Sequence, residues 1–288
     1  MVAHQDSPEG LSRTRRLFST LNRRAEKTKV GLNIAIDEDD PNAIVTRRLI
    51  REHPYLGLMG MVKASKEGLG SKQLSTSPKD AGYFTTLQTL YECNEYLLKA
   101  FNGGMDVDNA FRTERPADAK LETYYDYLSH LWTVIFDASP DLEPVRTERQ
   151  KPDSLRIEKR AGGGGSVTAR PIGQLIIAEI LMKALLAKED PDAFLHRLFT
   201  EVSFDLDQIP WKKLVWNAET RTITGAKRER TLIVNLLLHK FGLLSGGSRQ
   251  LLEDYRNVTQ DKTMKLLPVS AGNAAQPTPS EENTAVPE

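Results

Sequence analysis

Seven cations, Arg13, Arg15, Arg16, Arg23, Arg24, Lys27 and Lys29, fall within one short stretch, with Glu26 as the single opposing charge. Guanidinium forks and ammonium groups that meet phosphates release condensed counterions, the source of sequence-independent affinity for nucleic acid. The same residues also suit a solvated helix face that pairs with the acidic run Asp37-Glu38-Asp39-Asp40 downstream. Asn22 lies among them and has two readings. It can read an adenine edge, or, more in keeping with an Asn after an apolar helix residue, make a local backbone bond.

A second basic cluster comprises Lys212, Lys213, Arg221, Lys227, Arg228 and Arg230, interleaved with Trp211 and Trp216. Aromatic rings between cations suit stacking on unpaired bases. The alternative, which the pattern favours, is a hairpin whose tryptophans are core and whose charges face water. Lys+Arg and Asp+Glu are both 39 in this 288-residue chain, so a basic stripe can exist only as an uneven distribution of charge.

Other chemistry is sparse. The run AGGGGSVTARPIGQ lacks the Gly-Lys-Ser/Thr ending that places a lysine on phosphates, and reads as a flexible joint before a helix that Ser166 or Thr168 can cap. Arg170 near that helix start can meet an anion. Asp37 to Asp40 offer oxygen ligands for a hard cation, but an Asp before Pro41 is explained by helix capping alone. The histidines (His4, His53, His130, His196 and His239) show no ligand spacing, and Cys93 reads as a small core residue. No catalytic set, metal site or cofactor site is argued from these residues.

The elements that would position the clusters are mostly helices. Residues 13–27 carry Leu17, Phe18, Leu21 and Ala25 on one face. A helix starts at Pro41 and ends at His53-Pro54. Phe84 to Phe101 and Leu121 to Phe136 repeat apolar residues at three- and four-residue steps, and each is expected to pack on the other. Before them, residues 63–80 are a polar loop, and after them residues 141–165 are a mobile connection. Helices then follow from Pro171, over 192–204 and over 231–241, with a small hairpin between 211–215 and 221–224. A Pro/Ala/Thr/Glu-rich tail closes the chain. One cysteine excludes an intrachain disulfide and a Cys-based zinc site. The polar opening MVAHQDSPEG is no signal peptide, and the apolar run 172–187 is too short and too charged to span a bilayer. A cytoplasmic protein is expected.

The segment RTRRLFSTLNRRAEKTKVGLNIAIDEDDPNAIVTRRLIREHP resembles the stretch that follows the DGQHR strand and loop in the DndB family. Phe18, Leu21 and Asn22, followed by Arg23, Arg24 and Ala25, occupy the positions of its Phe, Leu/Ile and Asn pattern and basic helix. The Ser-containing loop before the next helix, the segment WKKLVWNAETRTITGAKRERT and the ending Phe241-Gly242-Leu243 are also similar to that family. The Asp-Gly-Gln-His-Arg motif itself is absent, as is the ParB-like α/β portion expected before it. The resemblance implies a DNA-binding regulator or accessory factor of a phosphorothioation-based modification and defence system.

The expectation is therefore a mainly α protein. Residues 1–62 are the remnant of a ParB-like α/β (DGQHR) domain, residues 63–262 a helical domain with one small β-hairpin, and residues 263–288 a disordered tail. DNA is the expected partner, met through Arg13, Arg15, Arg16, Asn22, Arg23, Arg24, Lys27 and Lys29, with Lys212, Lys213, Lys227, Arg228 and Arg230 as a second set. If a sheet once covered the Leu17/Phe18/Leu21 face, a second copy or a partner protein covers it here. No membrane is involved. Two rivals stand beside this reading: a fragment of a nucleotide- or nucleic-acid-processing enzyme, and a protein-interaction module without DNA binding.

Overall fold

A helix apolar on nearly every side has to be buried on nearly every side, and Ile172, Leu175, Ile176, Ile177, Ile180 and Leu181 give the chain such a helix. In the computed structural model it runs Pro171–Leu186 and forms the centre of the core. The structure describes residues 7–25, 30–58, 60–64, 74, 83–105, 115–148, 165–220, 222–223, 227–244 and 246–270. Among these the order is α1 (Pro8–Ala25), α2 (Val30–Ile36), α3 (Pro41–Glu52), β1 (Val62–Lys63), β2 (Thr85–Thr86), α4 (Leu87–Phe101) and α5 (Asp118–Ala138). A 3-10 turn (Pro140–Leu142) and α6 (Glu143–Thr147) follow, then α7 (the central helix, Pro171–Leu186), α8 (Pro191–Glu201), β3 (Trp216–Asn217), β4 (Thr222–Ile223), α9 (Lys227–Lys240) and α10 (Ser248–Thr259).

The mainly α expectation holds, with two sheets of two short strands each. No ParB-like sheet is present among the described residues of the first 62, which form three helices and the start of β1. β1 pairs with β2 in parallel, Val62 with Thr85 and Lys63 with Thr86. The hairpin exists, but its first strand is Trp216–Asn217, against Ile223 and Thr222. Residues 211–215 are instead a turn. The Trp211 carbonyl accepts the N–H groups of Leu214, Val215 and Trp216, so the apolar residues there enter the core without a ladder.

The packing differs from the expected α4/α5 pair. α4 lies chiefly on α7, α5 packs on α8 and α3, and the α4–α5 contact is minor. α7 has only a narrow polar edge, Glu179 and Lys183, so it takes α4, α8 and α9 around the rest of it. Gly173 makes close approach possible: a Cβ there would lie 2.0 Å from the Val167 carbonyl oxygen. Neither Ser166 nor Thr168 caps α7. Its cap position is Arg170, with no side-chain cap bond, while Ser166 Oγ accepts from the Thr168 N–H and donates to Asp141. Three helices, α2, α6 and α10, were not expected; α6 stands in the first part of the stretch 141–165 read as a mobile connection, because Leu142 and Val145 are buried in the core. Of the expected tail, residues 263–270 are described. Met264, Leu266 and Leu267 pack on the core, and the Ser270 N–H donates to the Lys240 carbonyl. Residues 271–288 and the glycines 162–164 lie outside the described residues.

Candidate nucleic-acid interface

The N-terminal surface is built on one acidic turn. The Asp37 carboxylate accepts the N–H groups of Asp39 and Asp40 at 3.0 and 3.1 Å. Asp40 caps α3, accepting from Asn42 N–H at 2.8 Å and Ala43 N–H at 3.2 Å, and receives the Tyr91 hydroxyl at 2.6 Å. Pro41 fits the first helical turn because its missing N–H is not needed there. Below the turn, Arg47 donates to the carbonyls of Ile34 and Asp37, both at 2.7 Å. Asp37 and Asp40 are thus spent on backbone geometry, and Glu38 and Asp39 are left to face α1.

α1 meets the rest of the protein mainly at α2. Arg15 reaches Glu38 at 3.4 Å and Arg16 reaches Asp39 at 3.3 Å, and Glu38 is shared with Arg47 at 3.3 Å. The arginine side chains stay 57% and 44% exposed, whereas those of Glu38 and Asp39 are 10% and 17% exposed. The cations are therefore the exposed partners and the carboxylates the sheltered ones. Arg13 is exposed, and so are Leu11, Leu17 and Phe18. Arg23, Arg24 and Asn22 belong to the last two turns of α1, where the backbone alone is described, as it is for Leu21; Lys27 and Lys29 lie outside the described residues.

The described residues of the second cluster are divided between exposed positions and internal ion pairs. Lys212, Lys227 and Arg228 are exposed. Lys213, at a positive φ of 68°, pairs with Asp261 at 2.8 Å. That lysine and the Thr263 hydroxyl and N–H hold the Asp261 carboxyl well below the usual carboxylate range. Arg230 turns inward, donating to the Tyr96 hydroxyl at 2.9 Å and lying 3.6 Å from Glu179. Both tryptophans are core: Trp211 is fully buried and donates to the Ser203 carbonyl, and Trp216 donates to Asp207. Rings held this way cannot stack on bases. Arg221 lies outside the described residues, and Arg170 is buried.

One arrangement escaped the sequence reading, a buried polar chain beneath the acidic turn. Asn42 donates to the Tyr91 carbonyl at 3.0 Å, the Thr46 hydroxyl donates to Asn42 at 3.2 Å, and Asn94 donates to Thr46 at 2.8 Å. Trp132 Nε1–H closes it on Asn94 Oδ1 at 2.8 Å. The chain ties α3, α4 and α5 together. The signal available was the Asn at a core position of an otherwise apolar stripe. Beside it, Arg48 binds both oxygens of Glu122 at 2.5 and 3.0 Å and Glu52 at 2.6 Å, which raises the guanidinium pKa further, and it lies over the Tyr125 ring.

No helix among the described residues is long and apolar enough to cross a membrane. The chain matches no curated protein and no solved structure. A family model does match, over residues 6–244, a span that includes the arginines of α1, the acidic turn, the central helix and the hairpin. On that match, the chain belongs to the DndB family, described as DNA-sulfur modification-associated.

Proposed function

We propose that this chain is a DNA-contacting regulator or accessory protein of a DNA phosphorothioation system, and that α1 is its phosphate-facing surface. The observation that carries the reading is the exposure of Arg13, Arg15 and Arg16 on a helix that touches little else, within a family tied to DNA-sulfur modification. Asn22, Arg23, Arg24, Lys27 and Lys29 continue that basic run along the sequence. Lys212, Lys227 and Arg228 add outlying charge, while Lys213 and Arg230 already serve Asp261 and Glu179. The finer descent of residues 1–62 from a DGQHR domain goes with this reading.

The test is fluorescence anisotropy with a short labelled duplex across a salt series, comparing the wild type with Arg15, Arg16, Arg23 and Arg24 all changed to Ala. The wild type should bind with affinity that falls steeply with salt. The variant should lose affinity, and its logarithmic salt slope should shrink by roughly 3 to 4, about 0.9 for each phosphate contact removed. Absence of binding by both proteins at low salt would replace this reading with an interaction module.

That second reading has its own support. Leu11, Leu17 and Phe18 are 46%, 63% and 54% exposed on α1, and large apolar side chains gathered on one helix mark a surface that another molecule covers.

A further inference from the structure

Resting on the reading of α1 as the DNA-contacting surface, we infer that Glu38 and Asp39 are internal stand-ins for DNA phosphates, so that DNA engages Arg15 and Arg16 by displacing them. The geometry has three parts. The carboxylates are pre-positioned, because the Asp37 side chain and the Asp40 cap fix the backbone of the turn that carries them. The arginines are only loosely held: each pair is single-point, at 3.4 and 3.3 Å, and each guanidinium is about half exposed. Release leaves no orphan. Glu38 keeps Arg47 at 3.3 Å, itself anchored by the Ile34 and Asp37 carbonyls, and Asp39 lies shallow enough to take water in place of Arg16.

A carboxylate and a phosphate offer a guanidinium the same acceptor chemistry. The exchange therefore swaps one anion for another and lowers the net affinity that α1 would otherwise have. It also reduces the net ion release on binding, since freed carboxylates gather cations as the phosphates lose theirs. The acidic turn sets a threshold: isolated or sparse phosphates do not open it, and a dense polyanion does.

The experiment is a double-mutant cycle in the full chain, read by anisotropy with a labelled duplex over a salt series. Its arms are wild type, Glu38→Gln/Asp39→Asn, Arg15→Ala/Arg16→Ala, and all four changes together. The acid-to-amide pair should bind roughly three- to tenfold tighter, the range two exposed ion pairs allow, with a salt slope steeper by about 1 to 2. In the arginine-less background the same amide changes should have no effect. Asp39→Asn alone, which leaves the Glu38–Arg47 pair intact, should give a gain of the same sign and about half the size on a logarithmic scale.

Unchanged or weaker binding by the amide variants overturns the inference while leaving α1 as the DNA surface, provided the arginine variant still loses affinity. An equal gain in the arginine-less background also overturns it, since the effect is then general charge and not exchange. If the arginine variant binds like wild type, or no arm binds at low salt, both the inference and the reading beneath it fall.

Discussion

His53 is buried at the end of α3, its Nδ1 facing the N–H groups of Tyr55 and Leu56 and its Nε2 lying 3.2 Å from the Ser129 carbonyl and the Thr133 hydroxyl. Two donors at Nδ1 require the neutral ring with its proton on Nε2. Burial is the main reason its pKa falls from the ordinary 6.5 to about 4. A folded-state pKa below the unfolded value means that the unfolded chain takes up the proton first. Stability is whole above pH 6.5 and is lost as pH falls from there towards 4, by about 2 kcal/mol at pH 5. An imidazole NMR titration with a His53 midpoint near 6.5 would remove this account. Asn94 is the second residue with a sharp consequence. Asn94→Ala strands the buried Trp132 N–H and should cost about 1–3 kcal/mol in urea unfolding, whereas a neutral result would mean that the polar chain is dispensable.

At the scale of elements, Asp40 and Gly173 are the positions where one atom decides a helix. Asp40→Ala removes the α3 cap and the acceptor of the Tyr91 hydroxyl, and a loss of roughly 1–3 kcal/mol is expected. Gly173→Ala drives a methyl into the backbone of Val167; a thermal midpoint as high as wild type would show that the 165–170 loop yields. The legible elements were those with local signals. Asp40-Pro41 gave the start of α3, and the three- and four-residue spacing of Leu87, Leu90, Tyr91, Asn94, Leu97, Leu98 and Phe101 gave α4. α10 carries Leu251, Leu252, Tyr255 and Val258 at helical steps, with Leu251 and Tyr255 buried and Val258 packed on the core, a short stripe that was readable and was passed over. The partner of α4 was misread because α7 is apolar nearly all round and so declares no preferred face. In the site, Glu38 and Asp39 were readable as one of two options for α1. The inward turn of Arg230 depends on Glu179, some fifty residues away, and no local pattern reports that.

For the whole molecule, the open question of the surface is what meets α1. Leu11, Leu17 and Phe18 face outward on a helix with its arginines on either side, and the protein should self-associate or hold a partner there. Multi-angle light scattering should show concentration-dependent association of the isolated chain that Leu17→Lys/Phe18→Lys abolishes. A strictly monomeric wild type at all concentrations argues against the surface.

The dependence of α4 on α7 also has a consequence for the chain as it is made. α4 ends at Phe101 and α7 begins at Pro171, so α4 leaves the ribosome several seconds before its main partner at the usual roughly 5–20 residues per second. During that interval Leu90, Leu97 and Leu98 have no α7 to cover them. A nascent chain halted before residue 171 is therefore a natural client for holding chaperones, and slower synthesis lengthens that exposure.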